Sequence, residues 1–301
     1  MQSRPIMIKT YVFRGLLCLV LTIGFFSCSD HLFPAVSPGS VTDRQRIKKI
    51  IREGPDQTAK VSLFQYDTLG RLSSMVTFQT PDSTVSPVET TVFAYNARNR
   101  LIEARRDISE RTGSAPFQYE IYTYTLNEAG QVVELRYVNN VSEDNIWLIK
   151  LQYNPDNRLK SSLKIFETGG VSYRQTSTFI FTANNITSAT INESLVRGSP
   201  LYDVTRTAVF TYDSKINPFY GLFVIPAPFT GRLSDPHSGS LSYYTYYGGV
   251  DNLLNLSQNN MLSDGSTTYT YTYNSSNLPT SRIRATPYES TETLHYEYET
   301  Y

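Results

Sequence analysis

The residues of this sequence that could take part in catalysis or metal binding are few and far apart. Three histidines, His31, His237 and His295, lie in different parts of the chain, and none has a cysteine or a second histidine at a spacing typical of metal ligands. The sequence contains no HExxH, GxSxG, P-loop or GxGxxG motif. We therefore predict that the protein is not an enzyme and has no catalytic, cofactor-binding or metal-binding residues.

Two other sets of residues could support acid–base catalysis or calcium binding. An enzyme without a known motif would need a pair of carboxylates in one pocket, such as Asp235 and Asp251. The segments 154–157 and 263–265 contain oxygen ligands, but they lack the spaced acidic residues of a calcium loop. Turn formation explains both segments.

Aromatic side chains suggest a surface that could bind a flat ligand. Exposed tyrosine and tryptophan rings stack on sugars and on other apolar faces. The candidates lie near an irregular, proline-rich stretch, where a loop could frame a site: Trp147, Tyr243, Tyr244, Tyr246 and Tyr247. The alternative interpretation is that one aromatic face forms the core of a curled sheet.

The N-terminal residues predict export and lipid attachment. Lys9 and Arg14 precede the apolar run 16–26, which has the size of a signal-peptide hydrophobic region rather than of a membrane span. The following residues, ending in Ser27 and Cys28, resemble a bacterial lipobox. This resemblance implies that Cys28 is acylated and becomes the mature N-terminus. An ordinary secretory signal or a short membrane anchor is the alternative.

The cysteine count and the composition after Cys28 predict the domain organisation. Cys18 would be removed with the signal peptide (1–27), so Cys28 would have no disulfide partner. Residues 28–45, with two prolines and a glycine, read as a flexible tether. We expect a single β domain over 46–301 and a location in the cell envelope, anchored in the outer membrane.

Composition and charge limit the partners. The 301 residues include 27 Lys+Arg and 27 Asp+Glu, so the formal net charge is zero. Nucleic-acid binding would need a positive face, and we therefore expect no nucleic-acid partner. The 23 tyrosines and 15 phenylalanines favour strands.

A β-hairpin signal recurs along the chain. In the segment 64–78 (FQYDTLGRLSSMVTF), two runs of alternating apolar and polar residues are separated by a predicted turn at Asp67–Gly70. Similar segments carry an aromatic residue at positions 66, 95, 124, 153, 181 and 212, at intervals of 29, 29, 29, 28 and 31 residues. Such a period indicates a repeat architecture. We predict an all-β, antiparallel meander of tandem hairpins of about 29 residues, interrupted by an irregular excursion at about 218–240 that contains several prolines.

The segment 66–72 (YDTLGRL) looks like the YD repeat of the RHS family. A wider pattern, formed in order by 212–219 (YDSKINPF), 257–260 (SQNN) and 273–281 (YNSSNLPTS), resembles Bacteroidota lipoproteins of unknown function whose domain is described as having a porin-like fold. This resemblance covers roughly 46–301. It implies a coiled, barrel-like antiparallel sheet and implies no activity.

These observations predict a lipid-anchored envelope protein that is a non-catalytic binding or scaffolding surface. Its partners would be the membrane, through the anchor, and a glycan or another envelope protein. An outer-membrane β-barrel is an alternative, because alternating strands suit it as well. Charges within the strands argue against it: Glu120 shares a predicted face with Tyr122 and Tyr124, and Arg136 with Val132 and Val138.

Overall fold

The computed structural model describes residues 45–53, 57–81, 87–110, 113, 115–140, 146–220, 257–287 and 291–301. All of them belong to one compact unit, Val36–Tyr301, and they form strands and short connections. The strands are β1 (Gln45–Glu53), β2 (Ala59–Tyr66), β3 (Leu72–Thr80), β4 (Val88–Tyr95), β5 (Leu101–Ser109), β6 (Gln118–Leu126), β7 (Val132–Asn139), β8 (Ile146–Tyr153), β9 (Leu159–Thr168), β10 (Val171–Thr182), β11 (Asn185–Arg197), β12 (Ser199–Val209), β13 (Thr211–Ile216), β14 (Asn259–Ser263), β15 (Thr268–Tyr273), β16 (Pro279–Ala285) and β17 (Glu292–Thr300).

The 17 described strands belong to one antiparallel sheet in which neighbours along the chain are neighbours in space. From β1 to β12 each strand pairs with the next, and the same holds from β13 to β17. The last strand also pairs with the first, from Gln45 opposite Thr300 to Arg52 opposite Leu294. The predicted all-β meander of hairpins is confirmed, and the sheet curls back on itself in a barrel-like way.

The ladder changes partners between β12 and β13. The chain runs from one strand to the other through Phe210, whose amide donates to the carbonyl of Thr187 at 3.1 Å and so continues the pairing with β11. Beyond this point β13 pairs with β14 instead. Among the described strands, β11 alone has a ladder register with β12.

The tight turns share one hydrogen-bonding pattern, shown by the turn between β2 and β3. The amide of Asp67 donates to the carbonyl of Arg71 at 2.8 Å, and the amide of Gly70 donates to the carbonyl of Asp67 at 2.9 Å. One carboxylate oxygen of Asp67 accepts the amides of Leu69 and Arg71. Gly70 has φ +77°, which glycine and asparagine adopt most readily. Four further turns repeat the two backbone bonds, with their first residue at Asn96, Asn127, Asn154 and Asn274.

A β-bulge follows each of these turns on the strand that leaves it. In the first hairpin Gln65 lies opposite Ser74 but Tyr66 lies opposite Leu72, which leaves Ser73 as the extra residue. The same shift occurs after the other four turns and between β10 and β11. Bulges increase the local twist and bend a strand, so a recurring bulge curves the sheet at the same place in each hairpin.

The structure corrects one of the predicted repeat positions. The aromatic residue before a turn is Tyr66, Tyr95 or Tyr153, but in β6 this place is taken by Leu126. Tyr124 lies two residues earlier. The alternating sequence of β6 offers a tyrosine at both Tyr122 and Tyr124, and the position of the turn at Asn127 decides the register.

One face of the sheet is buried and the other is exposed. The buried side chains form one hydrophobic cluster to which strands from β1 to β17 contribute. The predicted shared face of Glu120, Tyr122 and Tyr124 is confirmed, because all three are buried. The predicted shared face of Arg136 and Val138 is confirmed, because both are exposed, but Val132 does not belong to it: the bulge at Val133 reverses the alternation, so Val132 is buried.

Candidate functional site

The buried face is organised in layers that follow the distance from the turns. We count positions along the ingoing strands from the residue at the register shift, which is residue 66, 95, 126, 181, 212, 273 or 298. The side chain two residues before this reference residue is aromatic: Phe64, Phe93, Tyr124, Phe179, Phe210, Tyr271 and Tyr296. Six residues before six of these reference residues, the side chain is polar or charged: Lys60, Glu89, Glu120, Gln175, Arg206 and Glu292. We call this second set, with its ionic partners Arg52, Arg106, Lys164, Glu193 and Arg282, the charged layer.

The longest ionic chain of the charged layer crosses strands β2, β4, β5 and β6. The Nζ of Lys60 lies 2.8 Å from Oε1 of Glu89, and the other oxygen of Glu89 lies 2.7 Å from Nη2 of Arg106. Nη1 of Arg106 lies 2.8 Å from Oε2 of Glu120. Arg106 therefore bridges two carboxylates on the neighbouring strands. The planar guanidinium suits this role, because it presents two donors in a fixed geometry.

Two tyrosines extend this chain to β7. The hydroxyl of Tyr122 donates to Oε2 of Glu120 at 2.8 Å, and the hydroxyl of Tyr137 donates to Oε1 at 3.3 Å. The two rings lie 5.0 Å apart. Nδ2 of Asn139 donates to the Tyr137 hydroxyl at 2.7 Å. Each oxygen of Glu120 thus has a donor from a side chain on the buried face.

Glu89 and Arg106 hold each other in their ionised forms. Burial alone would raise the pKa of Glu89, but Arg106 and Lys60 outweigh burial, so the pKa is lowered. Burial alone would lower the pKa of Arg106, but Glu89 and Glu120 raise it above its ordinary value. A general acid or base must exchange a proton near the working pH. Glu89, ionised and bound by two cations, is arranged as a structural ion.

Two shorter ionic groups complete the charged layer. In the first, Arg206 pairs with Glu193 at 2.7 Å, and Lys164 lies in their electrostatic range. Burial lowers the pKa of Lys164, with Glu193 opposing the shift and Arg206 adding to it. The three residues carry two basic groups and one acid, all on the buried face of β9, β11 and β12.

The second group joins the two ends of the described chain. Glu292 of β17 pairs with Arg282 of β16 at 2.8 Å and with Arg52 of β1 at 3.0 Å. Arg282 also lies over the ring of Tyr269, 5.5 Å from its centroid. Ion pairs that cross the β1–β17 pairing tie the first and last strands to each other.

Most of the sequence-predicted site residues lie outside the described residues. This holds for the lipidation site Cys28, for Tyr243, Tyr244, Tyr246 and Tyr247, and for the acid pair Asp235 and Asp251. The backbone of Trp147 lies in β8 opposite Tyr137 and Phe166, and its side chain lies outside what the structure describes.

The remaining candidates serve local structure. His31 and His237 lie outside the described residues, and His295, in β17, contacts Glu53 at 2.6 Å. In the turn at 263–265, Oδ1 of Asp264 accepts the amides of Ser266 and Thr267, as turn formation predicts. Over the described ranges, no group of three His, Cys, Asp or Glu side chains is arranged to hold a metal ion. In the same part of the chain, no helix has the length and hydropathy needed to cross a membrane.

The charged layer was not predicted from the sequence. Its signal was present, because Lys60, Glu89 and Glu120 recur at intervals of 29 and 31 residues, the period of the hairpins themselves. Each charge taken alone reads as a solvated surface residue. Only the alternation counted from the turn places the three on the buried face.

Comparison with solved structures finds similar chains, among them two porin-like proteins. A porin-like protein from Bacteroides uniformis matches with a TM-score of 0.48 and 18% identity, over 84% of this chain and 98% of that one. A porin-like protein from Bacteroides vulgatus matches with a TM-score of 0.35 and 10% identity, over 85% and 99% of the two chains. No protein-family model and no curated protein matches the sequence. No activity or ligand follows from similarities at this level.

Proposed function

We propose that the protein is a lipid-anchored component of the cell envelope whose β domain serves as a non-catalytic binding or scaffolding surface. The targeting part of this proposal is supported by the sequence: basic Lys9 and Arg14, the apolar run 16–26, and Cys28 directly after Ser27. Acylation of Cys28 would attach the tether and the sheet to a membrane.

The bridge from Glu89 through Arg106 to Glu120 is the observation that carries the non-catalytic part. Both oxygens of Glu89 are bound by cations, and both oxygens of Glu120 accept hydrogen bonds. Carboxylates bound in this way order the buried ends of five strands. The pKa of Glu89 is lowered by Arg106 and Lys60, so this carboxylate is not poised to take a proton at neutral pH.

Metabolic labelling with a palmitate analogue tests the anchor. The full chain is expressed in a Gram-negative host, and label incorporation and membrane fractionation are compared between the wild type and Cys28→Ala. Cys18→Ala is the matched control, because Cys18 lies inside the segment that would be removed. We expect label and membrane association in the wild type and in Cys18→Ala, and neither in Cys28→Ala. Equal labelling of all three proteins, or of none, contradicts a lipid anchor at Cys28.

An outer-membrane β-barrel is the second candidate, and the exposed face weighs against it. Arg136, Lys150 and Arg174 are exposed within β7, β8 and β10. An arginine or lysine at the bilayer midplane costs about 2–4 kcal/mol. Protease cleavage between residues 29 and 44 separates the candidates: release of a domain that remains in solution without detergent supports the tethered protein. A heat-modifiable species that stays in the membrane supports the barrel.

A carbohydrate-binding lipoprotein is the remaining alternative. It would use the ring of Trp147 and those of Tyr243, Tyr244, Tyr246 and Tyr247, the four tyrosines that follow the proline-rich excursion in sequence. Glycan-array binding by the wild type, lost when Tyr243 and Tyr244 are replaced by alanine and kept in Tyr301→Ala, would favour it.

A further inference from the structure

The strand connections define two ends of the sheet. At one end, which we call the turn rim, lie the five tight turns that begin at Asp67, Asn96, Asn127, Asn154 and Asn274, and also Asn217 and Gln258, the described ends of the connection between β13 and β14. At the other end, the opposite rim, longer connections join β1 to β2, β3 to β4, β5 to β6 and β7 to β8, and short ones join β9 to β10 and β11 to β12. The first residue of β1, Gln45, pairs with Thr300 at the turn rim. The chain from the N-terminus therefore enters the sheet at the turn rim.

The entry point carries a mixed aromatic, basic and aliphatic group. The guanidinium of Arg46 lies 3.9 Å from the ring centroid of Tyr66 and 4.7 Å from that of Tyr301, and its Nε is 2.7 Å from Glu299. A Cβ on Gly70 would lie 3.9 Å from Arg46, so the tip of the first turn is next to this stack.

Two side chains of this group are largely exposed. Leu69, at the tip of the turn, is 65% exposed, and Tyr301 is 51% exposed. Tyrosine and arginine are the residues that membrane–water interfaces accommodate, with an apolar body and a polar or charged end. A leucine at the tip of a turn adds an apolar side chain that has no cover among the described residues.

The length of the tether restricts the distance between the turn rim and a lipid on Cys28. The segment 29–44 has 16 residues, and a flexible chain of that length has an r.m.s. extension of roughly 20–25 Å. A nine-residue strand such as β5 adds about 30 Å between the rims. Because the chain from Cys28 enters the sheet at the turn rim, the anchor favours the turn rim as the end nearer to the bilayer.

We propose that the turn rim is a membrane-facing surface, with Leu69 and Tyr301 at the lipid headgroups and the charged layer directed away from the membrane. This orientation rests on the proposed lipid anchor. In this orientation, the connections at the opposite rim face the surrounding compartment and are accessible to a binding partner.

Fluorescence quenching in vesicles tests the orientation. In the lipidated chain the thiol of Cys28 is acylated, so one introduced cysteine can be labelled selectively. Ala97→Cys and Glu110→Cys are matched positions, because they are exposed residues before and after the same strand, β5. The lipidated proteins are reconstituted in phosphatidylethanolamine and phosphatidylglycerol vesicles with a headgroup quencher. We expect quenching several-fold stronger at position 97 than at position 110.

Quenching that is equal at the two positions, or stronger at position 110, overturns the orientation while leaving the anchor intact. A chain that carries no lipid in the labelling experiment overturns the anchor and the orientation together. A second variant isolates the contact: Leu69→Ser combined with Tyr301→Ser reduces the quenching at position 97, whereas Phe117→Ser at the opposite rim leaves it unchanged. Identical quenching in the two variants contradicts the assigned contact.

Discussion

Tyr298 of β17 lies opposite Ile47 of β1 in the same relationship that Tyr66 has to Leu72 within the first hairpin. In both places the next ladder pair skips one residue, Lys48 or Ser73, and forms a bulge. The two tyrosine hydroxyls also form equivalent hydrogen bonds: that of Tyr298 donates to the carbonyl of Pro279, and that of Tyr66 donates to the carbonyl of Ile47. The first and last strands thus form one more repeat, without a connecting turn.

The tyrosine hydroxyls give the first prediction. Tyr95 donates to the carbonyl of Leu72 at 2.7 Å, whereas the buried hydroxyl of Tyr124 has no hydrogen-bond partner among the described residues. Tyr95→Phe should lower the free energy of unfolding by about 0.5–1.5 kcal/mol, and Tyr124→Phe should leave it unchanged or raise it by up to about 1 kcal/mol. Urea denaturation measures both. A larger loss in Tyr124→Phe than in Tyr95→Phe contradicts the assigned register.

Arg106 and Arg105 form a matched pair on opposite faces of β5. Arg106→Met leaves Glu89 and Glu120 buried without their shared cation and should cost about 3–5 kcal/mol of stability. Arg105→Met breaks a partly exposed pair with Asp107 and should cost no more than about 1 kcal/mol. Thermal and urea unfolding provide the comparison. Equal effects would mean that the bridge is not buried in solution.

Acid stability reports on Glu89. Burial opposes its ionisation, but Arg106 and Lys60 lower its pKa in the folded protein. Because the pKa of Glu89 is lower in the folded protein, its ionised carboxylate adds to the free energy of unfolding. This contribution is fully present above the pKa of the unfolded chain, about 4.3–4.5, and is lost as the pH falls through the pKa of the folded protein. Glu89→Gln should therefore be less stable than the wild type at pH 7 and lose less stability below pH ~4.5. Glu103→Gln, on the exposed face, is the matched control for the loss of one carboxylate.

The first turn can be tested against its own repeats. Asp67→Ala removes the acceptor of two backbone amides and the partner of Arg71, and should cost about 1–2 kcal/mol. Asp67→Asn keeps the accepting oxygen, and asparagine occupies this place in the turns at Asn96 and Asn154, so its cost should be smaller. If Asp67→Asn is as damaging as Asp67→Ala, the ion pair rather than the amide acceptor stabilises the turn.

The fold was predictable because its determinants are local. Alternation and a turn residue such as Gly70 or Asn99 define a hairpin within about 15 residues, and a regular period extends it to the whole sheet. The register of β6 was not predictable from alternation, because the strand has a tyrosine at both position 122 and position 124. The turn at Asn127 resolves it.

The candidate site was less predictable than the fold. Glu89, Arg106 and Glu120 come from three strands, and their contact depends on bulges that shift the alternation by one residue. In a sequence without structure, a bulge at Ile102 or Val133 is invisible, and the face of every later residue on that strand is then assigned wrongly. The wrong assignment of Val132 to the face of Arg136 has this cause.

The recurring bulge has a consequence for how such a protein can change size. Most hairpins carry their own turn, their own bulge and their own polar position on the buried face, so register and curvature are determined inside the unit. Duplicating or deleting one such hairpin would change the number of strands in the sheet by two and leave the apolar and charged layers of the other hairpins in register. Duplication of a single hairpin segment can therefore produce a sheet with more strands, without substitutions in the adjacent hairpins.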